Sequence, residues 1–192
     1  MKKIEFLVTE KGSKKYEYNK ITWELDKQLD IEEFLRDNSQ YNFVNAGKIV
    51  KNPKSTCGFK IKMNEEFEKK KFVIYLLVVD GKIVKGGKSK NPLPLRTYNA
   101  GTENNWTMKG SPSETNYVYS QIFRSCLKKG IDVNFYCFAA PFEVKEYNVF
   151  GEKKIYESSP YEEYEKTLNN SLKKKLGKNL IGEGKLLIPF KN

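Results

Sequence analysis

The alternation of apolar and polar residues along the chain predicts a mixed α+β protein. Strand-like segments are short, apolar or alternating, and bounded by turn residues. They lie at residues 3–9, 16–25, 42–64, 72–79 and 131–142. Helical periodicity with plausible start and stop residues marks residues 30–37, 111–130 and 159–177. The stretch 143–159 is expected to be irregular or to form a short hairpin turning at Gly151.

The sharpest local pattern is FVIYLLVVDGKIVKGGKSKNPLPLR at residues 72–96. Asp80-Gly81 between two apolar segments predicts a β-hairpin with a two-residue turn. Strict pairing from that turn would place Tyr75 opposite Gly86 and point Lys85 to the other face, because side chains alternate along a strand.

The last predicted helix begins with signals typical of a helix N-terminus. Ser159 is the predicted N-cap, Pro160 the first helical residue, and Glu162 the partner of Ser159 in a capping box. Gly177 closes the helix.

One carboxylate of this helix falls within its apolar stripe. At about 100° per residue, Glu165 lies between Tyr161 and Leu172, whereas Glu163 lies nearly opposite. A carboxylate at the rim of a core is costly unless it is paired or binds a cation. A lysine partner and a metal ion are both open interpretations.

Charge points to a polyanionic partner. The chain carries 35 Lys and Arg against 24 Asp and Glu, a formal net charge of +11. Residues 38–64 and 81–102 contain no acidic residue. Nucleic acid is the leading partner class. An AT-rich genome that favours lysine would give the same excess of basic residues.

The residue types present exclude several chemistries. The chain has no histidine, and Cys57, Cys126 and Cys137 are widely spaced without a CxxC pair. A structural zinc site and imidazole catalysis are therefore excluded, and reduced, mostly buried cysteines are expected. The apolar run 72–79 is too short to span a membrane, so a soluble cytoplasmic protein is expected.

Taken in order, these motifs resemble those of the GIY-YIG nuclease superfamily. VIY at 73–75 stands where the family has its GIY triplet, and KGGKS at 85–89 stands where many members read YIGKS. Arg96 follows, Glu165 matches the metal-binding glutamate, and Asn179 loosely matches an asparagine that often comes after it.

The chain departs from the family pattern at three points. Val73 replaces the first glycine, and Lys85 replaces the second motif's tyrosine, as in some small restriction endonucleases of the superfamily. Tyr98 is the nearest candidate for the space of a histidine that this chain lacks.

The resemblance implies a Mg²⁺-dependent phosphodiester hydrolase. Tyr75 would act as general base, Lys85 and Lys88 would favour its phenolate, and Lys85 would also orient the attacking water. Arg96 would grip the scissile phosphate, and Glu165 would hold one Mg²⁺. Glu162 stays open as the alternative metal ligand, although its capping role favours Glu165.

The catalytic assignment requires Lys85 on the same face as Tyr75. We therefore predict an irregularity, either a three-residue loop with a bulge or a β-bulge near Gly86-Gly87.

The predicted fold is a three-stranded antiparallel sheet flanked by helices over residues 69–192, with a β-rich, DNA-contacting extension over residues 1–68. The predicted DNA-binding residues carry basic or hydrogen-bonding side chains. They are Lys48, Lys51, Lys54, Lys88, Ser89, Tyr98 and Asn179.

The leading functional hypothesis is a sequence-specific, double-stranded DNA endonuclease of the type II restriction kind, acting as a homodimer on a short symmetric site. Two alternatives stay open: a non-catalytic nucleic-acid-binding domain, and a repair, branched-DNA or homing-type nuclease of the same superfamily.

Overall fold

A computed structural model describes residues 3–9, 18–55, 58–93 and 114–177. Three α-helices and nine strands lie in these ranges. They are β1 (Lys3–Thr9), β2 (Tyr18–Glu24), α1 (Ile31–Asp37), β3 (Val44–Lys51), β4 (Phe59–Met63), β5 (Val73–Val79), β6 (Lys82–Ser89), α2 (Glu114–Lys129), β7 (Val133–Ala139), β8 (Glu143–Val149), β9 (Glu152–Ser158) and α3 (Tyr161–Leu176). The predicted α+β class is confirmed.

The central sheet has five antiparallel strands in the order β4-β3-β7-β5-β6, where three were expected. The predicted hairpin and the strand after α2 form one side of it. On the other side, β3 pairs with β7, from Val44 opposite Cys137 to Lys48 opposite Asn134. The alternating burial of β4 puts Phe59, Ile61 and Met63 into the same core, so this pair of strands extends the sheet.

Each face of the sheet is covered by its own apolar layer. The first layer joins Tyr75, Leu77 and Phe135 to residues of α2 and of the β1-β2 hairpin. The second joins Ile74 and Leu76 to α1 and α3. All seven residues of β5 are buried, which explains why its sequence is apolar without interruption.

The Asp80-Gly81 turn forms as predicted. Both residues have positive φ, 52° and 77°, the conformation that a two-residue hairpin turn of the primed type requires. The predicted N-cap of α1 is also confirmed, because the Asp30 carboxylate accepts a hydrogen bond from the Glu32 amide at 2.9 Å.

The predicted capping box of α3 is wrong. The N-cap position belongs to Pro160, and no side chain caps it. Ser159 instead donates its hydroxyl hydrogen bond to the Pro141 carbonyl at 2.7 Å. Glu162 therefore has no capping role and is available for other contacts.

The segment after β7 forms the alternative that was predicted for it, a hairpin turning at Gly151. The free thiols of Cys126 and Cys137 are buried. Burial raises the pKa of Cys126 to about 12, so this thiol is protonated and unreactive, as expected for a structural cysteine; Cys57 lies outside the described residues. In the ranges that the structure describes, no helix combines the length and hydrophobicity needed to cross a membrane.

Candidate active site on the edge strand

A β-bulge in β6 confirms that the hairpin is irregular, but it lies at Val84 after a two-residue turn and not near Gly86-Gly87. Val78 pairs with Ile83 next to the turn, but Leu77 pairs with Lys85, so the register shifts by one residue at Val84. Beyond this point Tyr75 lies opposite Gly87 rather than Gly86. Because Leu77 and Tyr75 share a face, the bulge turns Lys85 to the Tyr75 side of the sheet.

Tyr75 packs directly over the second glycine of the pair. Its ring reaches from β5 across β6, so that a Cβ added to Gly87 would lie 2.5 Å from both its Cζ and its Oη. The same ring lies 5.7 Å from that of Phe135, centroid to centroid. Tyr75 is 1% exposed, which fits both a core aromatic and a base sequestered from bulk water.

Lys85 lies on the same face as Tyr75. Its Nζ is 4.8 Å from the ring centroid of Tyr119 on α2, a distance at which an ammonium is attracted by the face of the ring. The bulge and α2 thus hold a cation in the layer that contains Tyr75.

The opposite face of β6 carries a second charged cluster. Lys88 Nζ lies 3.3 Å from Glu162 Oε1 and 3.3 Å from Glu165 Oε2, and 5.6 Å from the centroid of the Tyr161 ring. Burial would lower the pKa of Lys88, but hydrogen bonds to the two carboxylates outweigh it and raise that pKa. Lys88 is therefore a cation held between two carboxylates.

Sequence reasoning missed Asn169 in this cluster, and it favoured Glu165 over Glu162 as the metal ligand because Glu162 was assigned to the helix cap. Asn169 lies one turn beyond Glu165 on the row of α3 that faces β6. The Asn169 Oδ1 would be 2.5 Å from a Cβ at Gly86. The absence of a side chain therefore lets α3 pack closely against Gly86 and lets the Tyr75 ring pack closely against Gly87.

The predicted site residues therefore lie on the two sides of the sheet at its β6 edge. Tyr75 and Lys85 lie on the α2 side, whereas Lys88 and Glu165 meet on the α3 side. β6 is the edge of the described part of the sheet, so a group that contacts both sets has to approach along this edge. Arg96, Tyr98 and Asn179 lie outside the described residues.

The predicted DNA-binding residues differ in their exposure and in the face of the sheet on which they lie. Ser89 is buried, and its hydroxyl donates to the Asn91 carbonyl at 2.6 Å. Lys48 lies opposite Lys62 in the β3-β4 pair and shares the outward face of the hairpin with Lys60. Lys51 alternates to the other face, and Lys54 lies in the exposed turn that follows β3.

The donor set on the α3 side suits a hard divalent cation. Glu162 and Glu165 already hold an ammonium ion, and Mg²⁺ takes one or two carboxylates while keeping several waters. Glu165 is the less exposed of the two, 25% against 65% for the side chain of Glu162. Within the described ranges there is no cluster of three or more His, Cys, Asp or Glu, so Glu162 and Glu165 are the carboxylate ligands that the described residues offer here.

A cavity of about 360 Å³ lies on the sheet side of α3. Aromatic residues line it, among them Tyr41, Phe43, Phe138 and Tyr164, with Asn38 and Gln40 also contributing to its wall. Of the predicted catalytic residues that the structure describes, none contributes to this wall, so the cavity is separate from the edge of β6.

We expect Gly87→Ala to destabilise the protein. Its methyl group would collide with the buried and rigid Tyr75 ring, and overpacking of this kind costs about 1–3 kcal/mol. Urea denaturation measures the change in free energy of unfolding. Gly86→Ala is the matched control, since the atom it first meets is the end of the Asn169 side chain, which can move; an equal or larger loss at Gly86 would contradict this packing.

Comparisons with known proteins place the fold among nucleases. No protein-family model and no curated protein matches the sequence. Among solved structures, restriction endonuclease HPY188I in complex with product DNA is similar over 78% of this chain and 83% of its own, with 27% identity and a TM-score of 0.50. Bacteriophage T4 EndoII is similar over 74% of this chain and 94% of its own, with 16% identity and a TM-score of 0.50. The chain therefore has a restriction-endonuclease-like fold.

Proposed function

We propose that this protein is a sequence-specific, double-stranded DNA endonuclease of the type II restriction kind, with a GIY-YIG-like active site. The observation that carries the proposal is the similarity to HPY188I, a restriction endonuclease solved with DNA, over most of both chains. The bulge at Val84 supports it, because the family's second motif requires Lys85 beside Tyr75.

In the proposed reaction, the Tyr75 hydroxyl is the general base for the attacking water. A phenol has a reference pKa of about 10, and nearby cations favour its charged form. Lys85 supplies that cation from the same face and orients the water. Arg96 grips the scissile phosphate through two parallel hydrogen bonds, for which a planar guanidinium is suited.

Glu165 is the proposed ligand of one Mg²⁺ ion, with Glu162 as its alternative. When bound, the metal supplies Lewis-acid stabilisation of the phosphate and of the departing 3′ oxygen. In the protein alone, the Lys88 ammonium balances part of the charge of the two carboxylates. With a divalent cation held by these carboxylates, Lys88 would become available to contact DNA phosphates.

DNA binding is proposed to use the basic face of the hairpin that β3 and β4 form, within the extension of residues 1–68. Lys48, Lys60 and Lys62 share the outward face of β3 and β4, which the sheet pairing puts on the α3 side, where Glu165 lies. Their ammonium groups would contact phosphates rather than bases.

We expect Lys62→Gln to weaken DNA binding and to lower its salt dependence. The slope of log K against log salt concentration is negative, and loss of one phosphate contact reduces its magnitude by about 1. Fluorescence anisotropy over a salt series measures the slope. Lys51→Gln is the control. Lys51 was also predicted to bind DNA, but it lies on the other face of the same pair of strands, so the proposal leaves it out. An equal change there would contradict the assignment of this face.

A non-catalytic nucleic-acid-binding domain is the second candidate. The near-complete burial of Tyr75 favours it, because this burial also fits a purely structural core aromatic. The aromatic cavity beside α3 favours it as well, because aromatic side chains stack on unpaired bases. A structure-specific nuclease of the same superfamily is the third candidate.

Incubation of the protein with supercoiled plasmid separates the three candidates. We expect discrete fragments in the presence of Mg²⁺ and intact plasmid when the metal is chelated. Nicking and smearing would favour a structure-specific nuclease, and saturated binding without any cutting would overturn the enzymatic assignment.

A further inference from the structure

The β8-β9 hairpin stands apart from the central sheet. Its two strands pair from Glu143 opposite Ser158 to Val149 opposite Glu152, and within the described chain they pair with no other strand. The turn residues Phe150 and Gly151 have φ of 52° and 85°, which makes a tight turn. An isolated two-stranded hairpin is only marginally stable in water, so contacts beyond its own two strands contribute to its stability.

The base of the hairpin is fixed to the body of the protein. Lys71 Nζ lies 2.8 Å from Glu157 Oε1, and the rings of Phe72 and Phe142 are 5.5 Å apart between centroids. The hairpin therefore projects from an anchored base.

Apolar side chains lie exposed on both faces and at the tip. Val144 and Ile155 share one face, at 54% and 65% exposure, and Tyr147 and Tyr156 share the other, at 50% and 58%. Phe150 at the tip is fully exposed. Scaled by these exposures, about 150–250 Å² for each aromatic ring gives the hairpin an exposed apolar surface of roughly several hundred Å². Patches of this size on a soluble protein mark interaction sites.

The charge of the hairpin does not suit DNA as the occupant. The strands carry four carboxylates and three ammonium groups, at Glu143, Glu146, Glu152, Glu157, Lys145, Lys153 and Lys154. This small excess of negative charge contrasts with a net charge of +11 for the chain. Ion pairs within the hairpin, such as Lys153 to Glu146 at 2.8 Å, further neutralise it.

We propose that the β8-β9 hairpin is a dimerisation arm that pairs with the hairpin of a second copy of this chain. Two copies of a strongly basic protein repel each other over most of their surfaces, whereas this near-neutral apolar arm lets them approach. The exposed apolar pairs on each face would then be buried in an isologous contact. The inference deepens the proposed function, since a symmetric cut in both strands needs two active sites, but its test involves no cleavage.

Sedimentation velocity of the intact protein without DNA or metal tests this assignment. We expect a dimer for the natural chain, and a dimer dissociation constant raised at least about tenfold by Ile155→Thr combined with Phe150→Ser. Leu7→Thr is the matched control, because Leu7 is a strand residue of similar exposure, 63%, and should leave the dimer unchanged.

Three results would overturn the proposal. They are a monomer at every concentration, a dimer that the hairpin variant does not weaken, and a monomer whose DNA affinity falls in the hairpin variant. The last result would assign the arm to DNA. Because the substituted side chains are exposed, we expect far-ultraviolet circular dichroism to remain that of the natural chain. Loss of DNA cleavage activity in the natural protein would leave the dimer measurement unaffected.

Discussion

Tyr75→Phe is expected to lower the rate of DNA cleavage by about 10²–10⁴-fold, the contribution of a general base. The substitution removes only the hydroxyl. The ring keeps its contact with Phe135 and its place over Gly87, so the fold is retained. The hydroxyl is assigned to the reaction and the ring to the core, which makes the two roles separable.

Single-turnover cleavage with enzyme in excess measures the chemical step, and anisotropy on uncut DNA in Ca²⁺ measures binding. Tyr117→Phe is the control, since Tyr117 is a second buried tyrosine of the same core, at 3% exposure, and has no proposed catalytic role. If Tyr75→Phe cuts at the rate of the natural enzyme, Tyr75 is a core aromatic and nothing more.

Glu165→Gln is expected to reduce cleavage by on the order of 10³-fold, because a metal that stabilises transition-state charge contributes several kcal/mol. The amide keeps the shape of the side chain but removes the negative charge that attracts a divalent cation. Glu162→Gln changes the other carboxylate that contacts Lys88 and is expected to retain most of the activity, because this side chain is the more exposed.

Titration of Mg²⁺ by calorimetry gives a readout that is independent of activity. We expect Glu165→Gln to abolish the binding heat and Glu162→Gln to weaken it only slightly. The reverse ranking would assign the metal to Glu162. If both variants cleaved DNA at the rate of the natural protein, neither carboxylate would take part in the reaction.

Local features were largely predictable from the sequence. The Asp80-Gly81 turn, the Asp30 cap and the helical periodicity of α2 and α3 depend on neighbouring residues, and the structure has them at nearly the expected positions. Glu165 also lies at the rim of the apolar face, as its place among Tyr161 and Leu172 indicated.

Features that depend on distant partners were not predictable. The pairing of β3 with β7 joins segments about 90 residues apart, and no local pattern specifies it. Ser159 had the spacing of a capping box, but its hydroxyl contacts the Pro141 carbonyl instead. Alternation alone would have pointed Lys85 away from Tyr75, and only the family resemblance indicated that the strand must be irregular.

Mapping of the DNA ends produced by the natural protein tests the proposed function most directly. Plasmid DNA is incubated with the protein and Mg²⁺, and the new ends are sequenced. We expect breaks with 5′-phosphate and 3′-hydroxyl ends, clustered at one short symmetric sequence on both strands. Plasmid that is fully bound by the protein and carries no new ends would contradict the proposed function.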